Sequence, residues 1–209
     1  MTRSNYEGNK SASKLKIVSF NSNSIGKNPK RRQVLNFLKK KNPDVLIVCD
    51  TRITTNIENL VKEEWGGQVF FSSCSSQARG VALFLKKDST IKILDKYKDQ
   101  EGNLLAVLIE FESKKILLQG VYGPNSDFPE FYKYQAFQKI SDWNPNHTIL
   151  VGDWNVALDF NMDTLNYSTQ CNPNSRAEIL KQMEELNLVD IFRELKPMDK
   201  KFTWKQWGS

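Results

Sequence analysis

The apolar residues of this chain fall into short runs of strand length, at 15–20, 45–49, 68–72, 81–85, 104–111, 116–121 and 148–152. Turn-formers such as Gly66-Gly67, Gly102-Asn103 and Pro124-Asn125 separate them. Helical spacing is rarer. Val34, Phe37 and Leu38 share a face within 30–41, and a second helix is expected over about 130–141, behind Pro129, whose fixed φ suits a first turn. A third is expected from Ser175, because Ser175-Arg176-Ala177-Glu178 has the form of a capping box and Ile179, Leu180, Met183 and Leu186 follow at helical spacing. Many strands with few helices predict an α+β fold in which two sheets stack and helices cover them.

Three of these runs end in Asn or Asp. The strand ending Phe20 continues into Asn21-Ser22-Asn23, the strand ending Cys49 into Asp50, and the strand 148–152 into Asp153-Trp154-Asn155. Singly, each is explained by turn chemistry, since short polar side chains bond their own backbone after a strand. Together they place acids and amides where α/β sheets hold ligands, beyond the strand ends. Asp153 and Asn155, two apart on an extended backbone, are expected to share one face and to point together beyond the strand end.

Phe20-Asn21-Ser22-Asn23, Cys49-Asp50-Thr51-Arg52, Val121-Tyr122-Gly123-Pro124-Asn125, Gly152-Asp153-Trp154-Asn155 and Phe202-Thr203-Trp204 occur in the order typical of the endonuclease/exonuclease/phosphatase superfamily, which the chain resembles over nearly its whole length. Within it, the chain is most similar to the apurinic-type endonuclease domain of non-LTR (LINE-type) retrotransposon polyproteins. The cues are Ser75-Ser76-Gln77-Ala78-Arg79-Gly80, Leu158-Asp159, Met162-Asp163-Thr164-Leu165-Asn166-Tyr167, Asn172-Pro173-Asn174-Ser175-Arg176 and Leu188-Val189-Asp190-Ile191-Phe192-Arg193-Glu194. The resemblance implies a four-layer α-β-β-α sandwich with its active site at one edge.

It also implies roles. Asp50 would bind Mg²⁺, with Mn²⁺ as the alternative and Asn23 as a second ligand; Asp153 would activate the attacking water. Asn155 would hold a phosphate oxygen, Tyr122 would lie beside the scissile phosphate, and Asn21 would position the catalytic groups. Arg79, Thr203 and Trp204 would contact DNA, although a lone Trp more often packs in a core and a lone exposed Arg is often idle. Asp50 stands where the family usually has Glu, so its carboxylate reaches about 1.5 Å less far. Asn23 stands where repair-type members carry Asp, although retrotransposon members often have Asn. The family's closing Asp and Ser-Asp-His triplet do not occur before Ser209, so the resemblance implies a sandwich that is C-terminally incomplete. The implied partners are double-stranded DNA, element RNA and a reverse transcriptase domain in the same polyprotein, and the implied location is the nucleus. An abasic-site repair endonuclease and a catalytically dead basic nucleic-acid-binding fragment are the alternatives.

Composition narrows the picture. A chain of 209 residues is expected to fold as one domain over 15–209 behind a polar, disordered tail at 1–14, which lacks the apolar run of a secretory signal. No window approaches the roughly 18 apolar residues of a membrane span. Three cysteines, without paired spacing, argue against a disulfide framework or a zinc site. The net charge of +6 favours a polyanionic partner, and Lys27, Lys30, Arg31, Arg32, Lys39, Lys40 and Lys41 crowd one region. That cluster reads equally as a solvated helix face, and Lys27 to Arg32 as a weak nuclear-import match. The only histidine, His147, precedes the Asp153 strand and is expected to be structural.

Overall fold

The computed structural model describes residues 14–166, 169 and 171–202. The tail expected at 1–14 therefore lies almost wholly outside the described residues, as do Thr203 and Trp204. Among the described residues, eight strands form two four-stranded sheets. The first contains β1 (Ile17–Asn21), β2 (Val45–Cys49), β3 (Val69–Ser72) and β4 (Val81–Leu85) in the order β1-β2-β4-β3. The second contains β5 (Lys92–Lys98), β6 (Leu104–Phe111), β7 (Lys114–Tyr122) and β8 (His147–Asp153) in sequential order.

Alternation explains the layering. In β2, Val45, Ile47 and Cys49 face the second sheet and meet Leu105, Val107, Ile109 and Leu118, while Leu46 and Val48 face outward under Leu35 and Leu38 of α1 (Lys30–Lys39) and Val61 and Trp65 of α2 (Glu58–Trp65). Both faces are covered, so the strand is apolar throughout. The outer face of the second sheet is coated by Phe131 of α3 (Pro129–Phe131), by Tyr132 and Ala136 of a π-helical turn (Tyr132–Ala136), by Ile140 of α4 (Gln138–Trp143) and, beyond the short α5 (Phe160–Asp163), by Ile179 of α6 (Pro173–Glu185). Three hydrophobic layers between four layers of structure make the α-β-β-α sandwich expected from the motifs.

Two parallel pairs position the site. β1 crosses through α1 to β2 beside it, and β7 crosses through α3 and α4 to β8 beside it. A parallel pair ends its strands at the same edge. Because each sheet contains one such pair, Asn21, Asp50, Tyr122 and Asp153 all emerge at one end of the sandwich. Gly120 keeps the sheets close there, since a Cβ would meet Ile47 Cγ2 at 2.7 Å and Val81 Cγ1 at 2.5 Å.

Several expectations are corrected. Ser175 is not an N-cap: α6 begins two residues earlier, at Pro173, and its free N–H groups are capped by Asp127 from another loop, which accepts from Asn174 N at 3.1 Å and Ser175 N at 2.7 Å. The Ser175 hydroxyl instead accepts from Phe128 N. The helix expected over 130–141 is interrupted by the π-helical turn, where the fully buried Tyr132 donates its hydroxyl to Trp154 O at 2.6 Å. β5 and α2 are among the elements with too little pattern to be foreseen. β5 is a polar edge strand with a bulge, and α2 buries only Val61 and Trp65.

Part of the basic cluster is structural. Arg31 is buried and bonds Glu64 of α2, Arg32 bonds the same carboxylate, and Lys39 donates to Glu64 O while lying over the Trp65 ring. All three cysteines are free, and among the described residues no helix is long and apolar enough to cross a membrane.

Candidate active site

The polar cluster at the strand ends is tied together across the two sheets. Asn21, last in β1, donates from Nδ2 to Asp153 Oδ2 at 2.6 Å, although 132 residues separate them. The other Asp153 oxygen, Oδ1, accepts from Asn155 N at 3.1 Å. Asn21 Oδ1 in turn accepts from Asn23 N at 3.0 Å. Asn155 faces the site through a left-handed turn (φ 51°) rather than through continued extension, and its Nδ2 donates to Gly123 O at 2.7 Å. Asn172, absent from the expected set, holds this turn by donating to Asn155 O at 2.9 Å. Gly152 permits the strand end: with φ 143°, a Cβ there would lie 1.9 Å from Val121 O.

Asp50 is buried at the end of β2 and accepts a two-pronged contact from Arg52, Nε to Oδ1 at 3.0 Å and Nη2 to Oδ2 at 2.9 Å. The same Nη2 reaches Asn23 Oδ1 at 3.2 Å. Arg52 belongs to the Cys49-Asp50-Thr51-Arg52 motif, for which the resemblance implies a role only at Asp50. Its reach back to Asp50 depends on positive φ at both residues, 49° and 51°, which nothing in their residue types announces. Asn23, Ser24 and Arg79 also have positive φ, so left-handed backbone gathers around the cluster. Such conformations cost about 1–3 kcal/mol each and persist where the surroundings enforce them. Here the enforcement is visible: Ser24 N bonds Asp50 O, Ile25 N bonds Thr51 O, and Arg52 N bonds Arg79 O, each at 2.8 Å.

Tyr122, last in β7, has its hydroxyl pushed up by burial and by the negative charges of Asp50 and Asp153, against the opposing pull of Arg52 and of a hydrogen bond with Asn155. It therefore stays protonated and able to donate at neutral pH. Cys49, directly before Asp50, is pushed up to about 12, chiefly by burial, and is not a nucleophile. Arg79 approaches from the side. Its Nη1 donates to Glu101 Oε2 at 3.0 Å and to Asn103 Oδ1 at 3.3 Å, and Asn103 donates to Tyr122 O at 2.5 Å. Arg79 is thus linked to the cluster through Asn103 but is not an idle charge. His147 starts β8, at the opposite end from Asp153, exposed, with Nε2 3.4 Å from Lys114 Nζ.

The oxygens of Asp50 and Asn23 converge on a single positive charge. That donor set, one carboxylate and one amide oxygen, suits a hard divalent ion, because Mg²⁺ commonly takes one or two carboxylates and completes its shell with water. Among the described residues no group of three or more His, Cys, Asp or Glu is arranged as a larger cage.

The chain is 27% identical over 196 residues to the 149 kDa protein of transposon TX1 from Xenopus laevis, covering 91% of this chain and 14% of that one. It therefore spans about a seventh of that relative's length. It is 24% identical over 206 residues to an exodeoxyribonuclease of Bacillus subtilis (strain 168), covering 91% of this chain and 79% of that enzyme. Among solved structures, the AP endonuclease LMAP from Leishmania major superposes with a TM-score of 0.69 at 21% identity, over 88% of this chain and 70% of that one. The likeness to a transposon protein read from the motifs is thereby borne out. Residues 18–177 match the model of the Endonuclease/Exonuclease/phosphatase family. With strand ends, acid–amide pairs and sandwich all in place, the chain belongs to that family, whose members are hydrolases of the nuclease and phosphodiesterase kind and generally use divalent metals.

Proposed function

We propose that this chain is an Mg²⁺-dependent DNA endonuclease domain of a retrotransposon polyprotein, nicking target DNA to leave a 3′-hydroxyl that primes reverse transcription of the element's RNA. The observation that carries the reading is the Asn21–Asp153 hydrogen bond, which joins the strand ends of both sheets into one acid–amide cluster. The likeness to a transposon protein supports the retrotransposon context, and that protein's greater length leaves room for a reverse transcriptase domain in the same polyprotein.

Phosphodiester hydrolysis needs a positioned water, a base, and positive charge opposite the developing negative charge. Asp153 is the base. One donor on each of its oxygens fixes the carboxylate plane and leaves lone pairs for a water. Tyr122, held neutral, donates to a phosphate oxygen. Asn155, with one amide hydrogen on Gly123 O, would turn the other from Tyr122 to the phosphate. Asp50 and Asn23 would hold the metal, which supplies Lewis-acid charge to the phosphate when bound. Arg79, which pairs with Glu101 and Asn103, would contact a DNA phosphate.

Relaxation of supercoiled plasmid in Mg²⁺ tests the assignment. Asp153→Asn should slow nicking by about 10²–10⁴, the usual size of a general-base contribution. A variant as fast as wild type would remove Asp153 from the mechanism. The fold likeness to an AP endonuclease supports a second reading, abasic-site repair. Cleavage of a duplex carrying one abasic site, with no nicking of intact plasmid, would favour it.

A further inference from the structure

We propose that Arg52 is a resident counter-cation that competes with the divalent metal for the Asp50 carboxylate, so that the metal can enter only as the guanidinium leaves. The inference rests on the reading that Asp50 holds the metal, and goes beyond it by naming what the metal must displace.

Both Asp50 oxygens are engaged by one planar fork, Nε on Oδ1 and Nη2 on Oδ2, and the remaining oxygen of the candidate donor set, Asn23 Oδ1, is taken by the same Nη2. A hard cation binds a carboxylate oxygen at about 2.1 Å. At that distance, two cations sharing three oxygens would lie close enough to repel strongly in a buried setting. The fork and the metal are therefore alternatives. The loop does not supply an easy compromise, because backbone bonds from Asp50 O, Thr51 O and Arg52 N fix the main chain on either side. With the main chain fixed and Asp50 buried, the Arg52 side chain is the partner that can leave. At 30% exposure, against 6% for Asp50, it has solvent to move into.

A bidentate guanidinium–carboxylate pair is among the stronger polar contacts and recognises the carboxylate by shape. If the fork leaves the carboxylate open about one tenth of the time, the apparent metal affinity falls about tenfold, since affinity scales with the population able to bind. The design would give a site that is electrically balanced without metal and that fills only at higher metal concentration.

Direct Mn²⁺ binding by electron paramagnetic resonance, with no substrate, separates the possibilities. Wild type, Arg52→Gln and Asp50→Asn are titrated with Mn²⁺ alone. The expected result is binding about tenfold tighter in Arg52→Gln and lost in Asp50→Asn. Equal or weaker binding in Arg52→Gln, with the site still lost in Asp50→Asn, overturns the competition and leaves the metal reading standing. Unchanged binding in Asp50→Asn, or no binding in any of the three, overturns both. A measurement on the unmutated protein guards against misfolding: the Arg52 Nε–H resonance should move towards that of a solvent-exposed arginine along the Mg²⁺ binding curve. A resonance that stays fixed at saturating Mg²⁺ overturns the proposal.

Discussion

Of the arginine–carboxylate pairs among the described residues, one between helices and one at the strand ends are built from the same groups for different ends. Arg31 of α1 is 3% exposed and its partner Glu64 of α2 is 11% exposed. The guanidinium is fully engaged, with Glu64 on Nε at 2.6 Å and on Nη2 at 3.3 Å, and Gly26 O on Nη1 at 2.8 Å. That pair is closed. The Asp50–Arg52 pair is closed on the acid side and open on the other, in a loop of left-handed residues beside Asp153 and Tyr122. The first arrangement fastens one helix to its neighbour, and the second keeps a charge available. Ion pairing alone does not distinguish them; the exposure of the cation and the backbone conformation do.

The sharpest way to separate the pairs is to neutralise each acid and read two quantities, rate and stability. Asp50→Asn should lower plasmid nicking by about 10²–10³, the scale of one lost electrostatic group, with the thermal melting curve little changed. A variant that nicks normally would make this pair structural as well. Glu64→Ala should do the reverse, costing about 3 kcal/mol in urea unfolding because it strands a buried guanidinium, while the folded fraction nicks at the wild-type rate. Loss of activity in proportion to folded protein would leave the contrast intact, and loss beyond it would not.

Acid should read the closed pair. Hydrogen bonding to Arg31, then to Arg32, holds the Glu64 carboxyl below its ordinary value of 4.5. Because its folded value is depressed, its stabilisation is fully present above the ordinary value and is lost as the pH falls through the lower folded one. Glu64→Gln should therefore flatten the stability curve in that window, and parallel curves for variant and wild type would remove Glu64 from acid unfolding. Smallest of all should be Arg32→Gln. Arg32 is 63% exposed although it shares the Glu64 carboxylate, so the change should cost under about 1 kcal/mol. A larger loss would mean that the outer arginine also belongs to the buried lock.

The apolar strands and the polar residues at their ends are legible in the sequence, because both faces of β2 are apolar and because Asn21, Asp50, Tyr122 and Asp153 each end or follow a strand. The sequence hid what depends on distant chain. The Asp127 cap on α6 comes from a loop 47 residues upstream of Asn174, and no local pattern could outweigh the capping box at Ser175. Arg52 was hidden for another reason. Its residue type suggests a solvent-facing charge, and only positive φ at Asp50 and Arg52 turns it inward. The Lys27–Lys41 cluster was legible as charge but not as use, since the acid that engages Arg31 and Arg32 lies in a helix too weakly patterned to expect.

Gly120 gives the sheet spacing a meaning beyond packing. It sits two residues before Tyr122 on β7, against Ile47, three residues before Asp50 on β2, with no room for even one methyl group. The halves of the site belong to different sheets, so their separation is set like the gap of a spark plug, by the bodies that carry the electrodes. A methyl group at Gly120 would touch nothing that reacts and yet would lever Tyr122 and Asp153 away from Asp50 and Asn21. Substitutions deep in the hydrophobic middle layer are thereby exposed to selection on rate, and a residue with no side chain becomes one of the gauges of the chemistry.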